Sequence, residues 1–172
     1  MEILLESITA DPSELELTAE AAELDLQLEL ASLASPVVYN VSAWKIEDEI
    51  FLNGTVTYKM QLTCARCLGE FDNAYSYPMD LVLQLVPDER LRETADEDDE
   101  FVMISGSRTT YVLDQHLRDL IILEQPMKPV CKEDCQGLCA HCGTNLNEQG
   151  CNCTIKEDDP RWEALKKFTN NN

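Results

Sequence analysis

Six cysteines fall within one short stretch as Cys131-x3-Cys135-x3-Cys139-x2-Cys142-x8-Cys151-x-Cys153, and two more stand far upstream as Cys64-x2-Cys67. Eight thiols make two sets of four, the number a tetrahedral thiophilic metal takes. Cys139-Ala140-His141-Cys142-Gly143 has the form of a zinc knuckle: the two-residue gap lets both thiolates reach one ion, and the glycine relieves crowding where the backbone turns back. Cys64-Ala65-Arg66-Cys67-Leu68-Gly69 has the same gap, with its glycine one place later. Each knuckle needs a second pair. Loop-closure entropy favours the nearby Cys151 and Cys153 for Cys139 and Cys142, which leaves Cys131 and Cys135 for Cys64 and Cys67. Closing the longer loop costs only about 0.6 kcal/mol per doubling of length, so separation along the chain is no bar. A metal in that set would tie the C-terminal stretch back to the Cys64–Cys67 turn.

Redox compartment decides how such a count reads, since an even number of cysteines means disulfides in a secreted chain and metal in a reducing cytosol. Met1 to Leu5 is too short for a signal-peptide core, and Glu2 and Glu6 stand where basic residues would be expected. The longest apolar stretches are about five residues against the roughly 20 that span a bilayer. A soluble, cytoplasmic chain with no membrane partner is expected, carrying two structural Zn2+ ions on Cys64, Cys67, Cys131, Cys135, Cys139, Cys142, Cys151 and Cys153. Three other uses of the thiols stay open: buried free cysteines, a redox centre at Cys64 and Cys67, and an iron–sulfur cluster on four thiolates. A thioredoxin-type motif opens a helix, whereas Thr63-Cys64 closes an alternating segment. His141, between two knuckle cysteines, reads as a solvated side chain rather than a ligand.

Alternation of apolar and polar residues dominates the first half of the chain. Leu24, Leu26, Leu28 and Leu30 alternate with acidic and amide residues and predict a strand. Val37, Tyr39 and Val41 predict a second running toward Trp44, and the acidic turn Glu47 to Glu49 restarts the pattern at Ile50. Val56, Tyr58, Met60 and Leu62 alternate with Thr55, Thr57, Lys59 and Gln61 and deliver Cys64 at a strand end; Tyr75 through Leu85 repeat the period beyond Gly69. Strand, knuckle, strand reads as a hairpin with metal at its tip. Asp88 to Glu100 reads as a charged solvated loop and Phe101 to Ile104 as a short strand. Leu113, Leu117, Leu120 and Ile121 fall on helical spacing up to Pro126, predicting a helix over 113–124. Asp159-Pro160 predicts the start of a terminal helix with Trp162, Leu165 and Phe168 on one face, followed by a disordered Asn tail.

The fold class expected is α+β: a mainly antiparallel β-sheet or partly open barrel with one central helix and a C-terminal Cys-rich zinc-binding segment. Residues 1–125 form the acidic β-rich body and residues 126–172 the Cys-rich metal-binding segment packed on it. Of a net charge of −20, residues 1–125 carry 7 basic and 26 acidic side chains, a net −19, and residues 126–172 carry −1. All-cysteine zinc sites would add about minus two each. A chain so acidic is repelled by phosphate and meets a basic protein more naturally than RNA, so direct RNA contact is not the first expectation. No phosphate-binding glycine loop or nucleophile elbow occurs, and His116 and His141 have no recognisable catalytic partner. Quartets filled by cysteine keep no open position for Lewis-acid chemistry. A non-enzyme is expected.

Leu62-Thr63-Cys64-Ala65-Arg66-Cys67-Leu68, the Leu113 to Pro126 helix ending in Leu-Glu-Gln-Pro, Cys135-Gln-Gly-Leu-Cys139-Ala-His-Cys142-Gly143 with Asn145-Leu146-Asn147, and Asp159-Pro160-Arg161-Trp162 with Leu165 together resemble the YceD family. These are bacterial and plastid proteins linked to accumulation of large-subunit ribosomal RNA, and the resemblance runs from about Leu24 to Phe168. It implies a factor supporting large ribosomal subunit assembly or accumulation of 23S ribosomal RNA, with a large-subunit precursor or a basic ribosomal protein as partner. It implies no catalytic residues. Two other functions compete with it: a thiol redox protein using Cys64 and Cys67, and a nucleic-acid-binding regulator acting through the C-terminal zinc segment around Lys128, Lys132, Lys156, Arg161, Lys166 and Lys167.

Overall fold

Strict alternation is longest between Glu49 and Val86, and there the chain forms its longest hairpin. In the computed structural model, which describes residues 1–26, 28, 31–87 and 101–153, β1 (Glu2–Leu4), β2 (Ser13–Ala19), β3 (Ala31–Leu33), β4 (Val37–Ile46), β5 (Glu49–Thr63), β6 (Glu70–Val86), β7 (Phe101–Ser105) and β8 (Thr110–Val112) precede the helix α1 (Asp114–Leu123). Strands β5 and β6 pair over their whole length, from Glu49 opposite Gln84 to Thr63 opposite Glu70. Strand β4 pairs with the first half of β5, and β3 with the second half, Leu33 standing opposite Met60. The resulting order is β2-β4-β5-β6-β7 with β3 beside β5, and β2 and β7 do not pair, so the sheet stays open. All its pairings are antiparallel except β6–β7. Strands β1 and β8 form a separate two-stranded ladder.

Period two becomes burial directly. Tyr39, Val41 and Ala43 of β4, Ile50, Leu52, Val56, Tyr58, Met60 and Leu62 of β5, and Met79, Leu81 and Leu83 of β6 are buried on one sheet face. Leu113, Leu117 and Ile121 of the helix join the same core, as do Ile3, Leu5 and Ile8. At about 25 cal/mol per Å² of apolar surface removed from water, each such side chain contributes about 1.5–3 kcal/mol. At the other end of the β4–β5 hairpin, Glu47 takes a left-handed φ of 52° in the two-residue turn. A Cβ added at Gly54 would stand 2.2 Å from the Asn40 carbonyl oxygen and 2.9 Å from the Tyr39 ring, so only glycine lets β4 approach here. Tyr39, fully buried, donates its hydroxyl to the Met79 carbonyl at 2.8 Å.

One expectation changes. The alternation over Leu24 to Leu30 is not a strand at its start: residues 21–25 form a turn, with Asp25 at φ 44°, which no extended strand accommodates. Its leucines still serve the core, Leu24 fully and Leu26 and Leu28 partly, while Gln27, Glu29 and Leu30 lie outside the described residues. The alternation that does form a strand is the earlier Ser13–Ala19, with Glu14 and Glu16 exposed between Leu15 and Leu17. The helix begins and ends where the spacing put it, between flanking Leu113 and Glu124, with the amino terminus of Met1 paired to Asp114 at its start. The charged segment 88–100 and the terminal helix expected around Trp162 lie outside the described residues.

Two compact units divide the chain: Met1–Ala65 with Gly69–Cys131, which holds the strands and helix, and Arg66–Leu68 with Lys132–Asn172. Within the described part of the second, turns predominate, and a single bridge pairs Leu138 with Asn145. Among the described residues no helix is long and apolar enough to cross a membrane.

Candidate metal centre

Strand β5 ends at Thr63 and β6 starts at Glu70, so the register sets Cys64 to Gly69 as the hairpin loop. The Cys64 N–H donates to the Gly69 carbonyl at 2.9 Å, closing it. The residue that turns the chain is Leu68, at φ 57° and exposed, rather than Gly69. Pro129 accepts the Ala65 N–H at 2.8 Å, and the Cys131 N–H points at the Cys64 sulfur from 3.4 Å. Around Cys135 the anchors are polar: Arg66 Nη1 donates to the Glu133 and Cys135 carbonyls at 3.0 and 3.2 Å, and Asn147 Nδ2 lies 3.4 Å from the Cys135 sulfur. Asn147 Oδ1 in turn accepts the Gln136 N–H at 2.9 Å. Gly137, at φ 73°, faces the Arg66 carbonyl oxygen, which an added Cβ would meet at 3.1 Å.

The second knuckle repeats the geometry. Cys139 N–H donates to the Thr144 carbonyl at 2.8 Å, Gly143 N–H to the Cys139 carbonyl at 2.9 Å, and His141 N–H approaches the Cys139 sulfur at 3.4 Å. Here the left-handed position after the second cysteine, φ 72°, is the glycine the spacing indicated.

The eight sulfurs gather into two quartets. Those of Cys64, Cys67, Cys131 and Cys135 all lie within 4.8 Å of one another, and so do those of Cys139, Cys142, Cys151 and Cys153. None of the eight is in a disulfide. A tetrahedral ion with metal–sulfur bonds of about 2.3 Å needs ligand sulfurs about 3.8 Å apart, so both sets can hold a metal after small side-chain adjustments. The quartets differ in exposure. Cys64 is 0 % and Cys67 8 % exposed, with Cys135 buried beside them, whereas Cys142 and Cys153 are exposed. His141 is exposed and is not one of either set.

Proximity of four thiols splits their acidities in the exposed quartet. Hydrogen bonding with the Thr144 hydroxyl and backbone lowers the Cys142 thiol to about 6, the Thr144 Oγ1 standing 3.1 Å from its sulfur. N–H groups of Cys142 and His141 lower Cys139 as well. Cys153, hydrogen-bonded to Cys142, is pushed up to about 12. Closely packed thiols cannot all ionise without a cation among them, which is the electrostatic demand that a divalent metal meets.

Over the described residues the fold and site define an α+β protein with one α-helix, an open sheet and two four-thiol clusters. Residues 52–169, well over half of the chain and inclusive of all eight cysteines, match the family described as large ribosomal RNA subunit accumulation protein YceD, and the chain belongs to that family. An uncharacterized protein of Mycobacterium bovis is 33 % identical over 121 residues, covering 70 % of this chain and 56 % of the relative. A protein of Arabidopsis thaliana named large ribosomal RNA subunit accumulation protein YCED homolog 1, chloroplastic, is 38 % identical over 53 residues, 31 % of this chain and 16 % of the plant protein. The maize protein of the same name is 46 % identical over 44 residues, 26 % of this chain and 15 % of its own. This chain thus spans about half the length of the mycobacterial relatives it matches. No solved structure matches it.

Proposed function

We propose that this chain is a non-enzymatic cytoplasmic factor that supports large ribosomal subunit assembly or accumulation of 23S ribosomal RNA, with its two thiol quartets holding structural zinc. The single observation that carries the reading is the family match over residues 52–169, with the plant relatives named for accumulation of large-subunit ribosomal RNA. The chemistry of the sites is consistent with it. Four thiolates fill a zinc ion's coordination, and what such an ion supplies is folding free energy. A redox role for Cys64 and Cys67 fits poorly, because a reactive thiol needs exposure and Cys64 has none. The net charge of −20 favours a basic ribosomal protein or a precursor particle as partner over bare RNA.

Co-sedimentation of the full chain with large-subunit precursors in a cell lysate tests the reading. Enrichment in precursor fractions is expected, and consistent absence from them overturns it. Elemental analysis of protein purified without added metal is expected to give close to two zinc per chain; tightly bound iron and sulfide would replace zinc with clusters.

A further inference from the structure

The sheet has two faces, and only one of them is the core. Across its other face runs a row set by register: Trp44 of β4 stands opposite Phe51 of β5, which stands opposite Val82 of β6. The Trp44 and Phe51 rings stack at 5.5 Å with 8° between their planes. All three side chains are half-buried, while Ile46 at one end of the band is 55 % exposed and Met103 of β7, opposite Gln84, is 41 % exposed. Their neighbours two residues along each strand are acidic or uncharged: Glu49 before Phe51, Asp80 before Val82, and Glu14 of β2 opposite Ser42. Over the described part of this face the ionisable residues are Glu14, Glu16, Glu49, Glu70, Asp72 and Asp80 against one base, Lys59. Lys59 lies eight positions from Phe51, about 27 Å along the strand.

We propose that this face is a docking surface for a lysine- and arginine-rich protein segment, whose guanidinium and aliphatic groups lie on the Trp44–Phe51 stack while Glu14, Glu16, Glu49 and Asp80 take its charge. An apolar band on the solvent side of a sheet marks an interaction surface. The ring of carboxylates selects what occupies it: phosphate is repelled, a neutral apolar partner leaves the acids unpaired, and an arginine satisfies both rings and carboxylates. The inference rests on the ribosomal reading and deepens it by naming the surface and the chemistry of the basic partner.

The test uses the full chain with Trp162→Phe, which leaves Trp44 as the sole tryptophan, titrated with a short oligoarginine peptide. Saturable change in Trp44 fluorescence that weakens with salt is expected. The pair Glu14→Lys/Glu16→Lys and the variant Phe51→Thr should each weaken binding by about tenfold or more. Glu2→Lys/Asp119→Lys, the same charge change at exposed positions elsewhere, should leave it within about twofold. If the Phe51 variant does not fold by circular dichroism, the Glu14/Glu16 pair decides. Equal loss in the control pair overturns the proposal, as does perturbation of Trp44 by a single-stranded oligouridylate in place of the peptide. Sheet variants that still co-sediment with ribosomal precursors as the unaltered chain does overturn the surface and leave the ribosomal reading standing. An unaltered chain that binds the peptide at this face but never co-sediments overturns the ribosomal reading and leaves the surface standing.

Discussion

Tyr58 is the one side chain whose buried polar atom finds no partner among the described residues. It sits inside a cluster with Tyr75 and Tyr77 at ring separations of 5.4 and 6.4 Å, and burial pushes its phenol well above the ordinary range. An unsatisfied buried hydroxyl costs about 1–3 kcal/mol. Tyr58→Phe removes that cost and keeps the ring, so the thermal midpoint should rise, by about 1 kcal/mol of stability; a fall would mean the hydroxyl has a partner. Gly54 predicts the opposite sign. Its Cβ would press on the β4 backbone, which cannot yield as a side-chain tip does. Gly54→Ala should destabilise by about 1–3 kcal/mol in denaturant unfolding. Neither effect is visible in the sequence, where Tyr58 is one more apolar position of the Val56 to Leu62 alternation. What each atom meets is decided by β4 and β6, not by its own neighbours.

At the scale of elements, the two knuckles show how far spacing carries. Cys-x-x-Cys fixed both turns, and Gly143 holds the left-handed position as its placement suggested. In the first knuckle that position falls to Leu68, because the residue following the second cysteine must turn back whatever its type. A left-handed leucine costs about 1–2 kcal/mol, and the strands β5 and β6, paired down to Thr63 and Glu70, hold it there. Replacing Cys64 and Cys67 together with serine should release about one of the two expected zinc ions, measured by elemental analysis, and raise amide exchange in residues 64–69. Retention of both ions would sink the assignment of these thiols. Helix α1 was legible from Leu113, Leu117 and Ile121 at helical spacing. The Leu24 to Leu30 alternation misled although the same leucine–glutamate pattern forms β2 at Ser13–Ala19, because a period of two does not show where the backbone turns, and Asp25 turns the chain left-handed there.

For the whole molecule, charge and metal meet in one pH dependence. The Cys142 thiol is lowered from 9.0 to about 6, chiefly by Thr144. A group lowered on folding contributes fully above its ordinary value and loses that contribution as the pH falls through its folded value. Metal ligation needs the same deprotonated sulfurs. Acidification from about 8 to about 5 should therefore release zinc from the exposed quartet, followed with a chromophoric chelator; zinc content unchanged across that range would contradict it. The same acidic character leaves a carboxylate-rich sheet face around Trp44 and Phe51. Neither the charge total of −20 nor the local alternation reveals that this face carries an aromatic row.

The sequence by itself determined the period of each strand from β4 to β6, the extent of α1, the form of both knuckles and the acidity of the chain, because period, capping and ligand spacing are properties of neighbouring residues. The grouping of Cys64 and Cys67 with Cys131 and Cys135 was expected from ligand count, but only the tertiary structure brings their sulfurs within 4.8 Å of one another, and it alone decided that Leu68 bears the left-handed turn and that Trp44, Phe51 and Val82 align across three strands. Those depend on strand register and on chain segments some 60 positions apart, which no local pattern encodes: a slip of one residue would leave every alternation intact and turn each side chain to the other face.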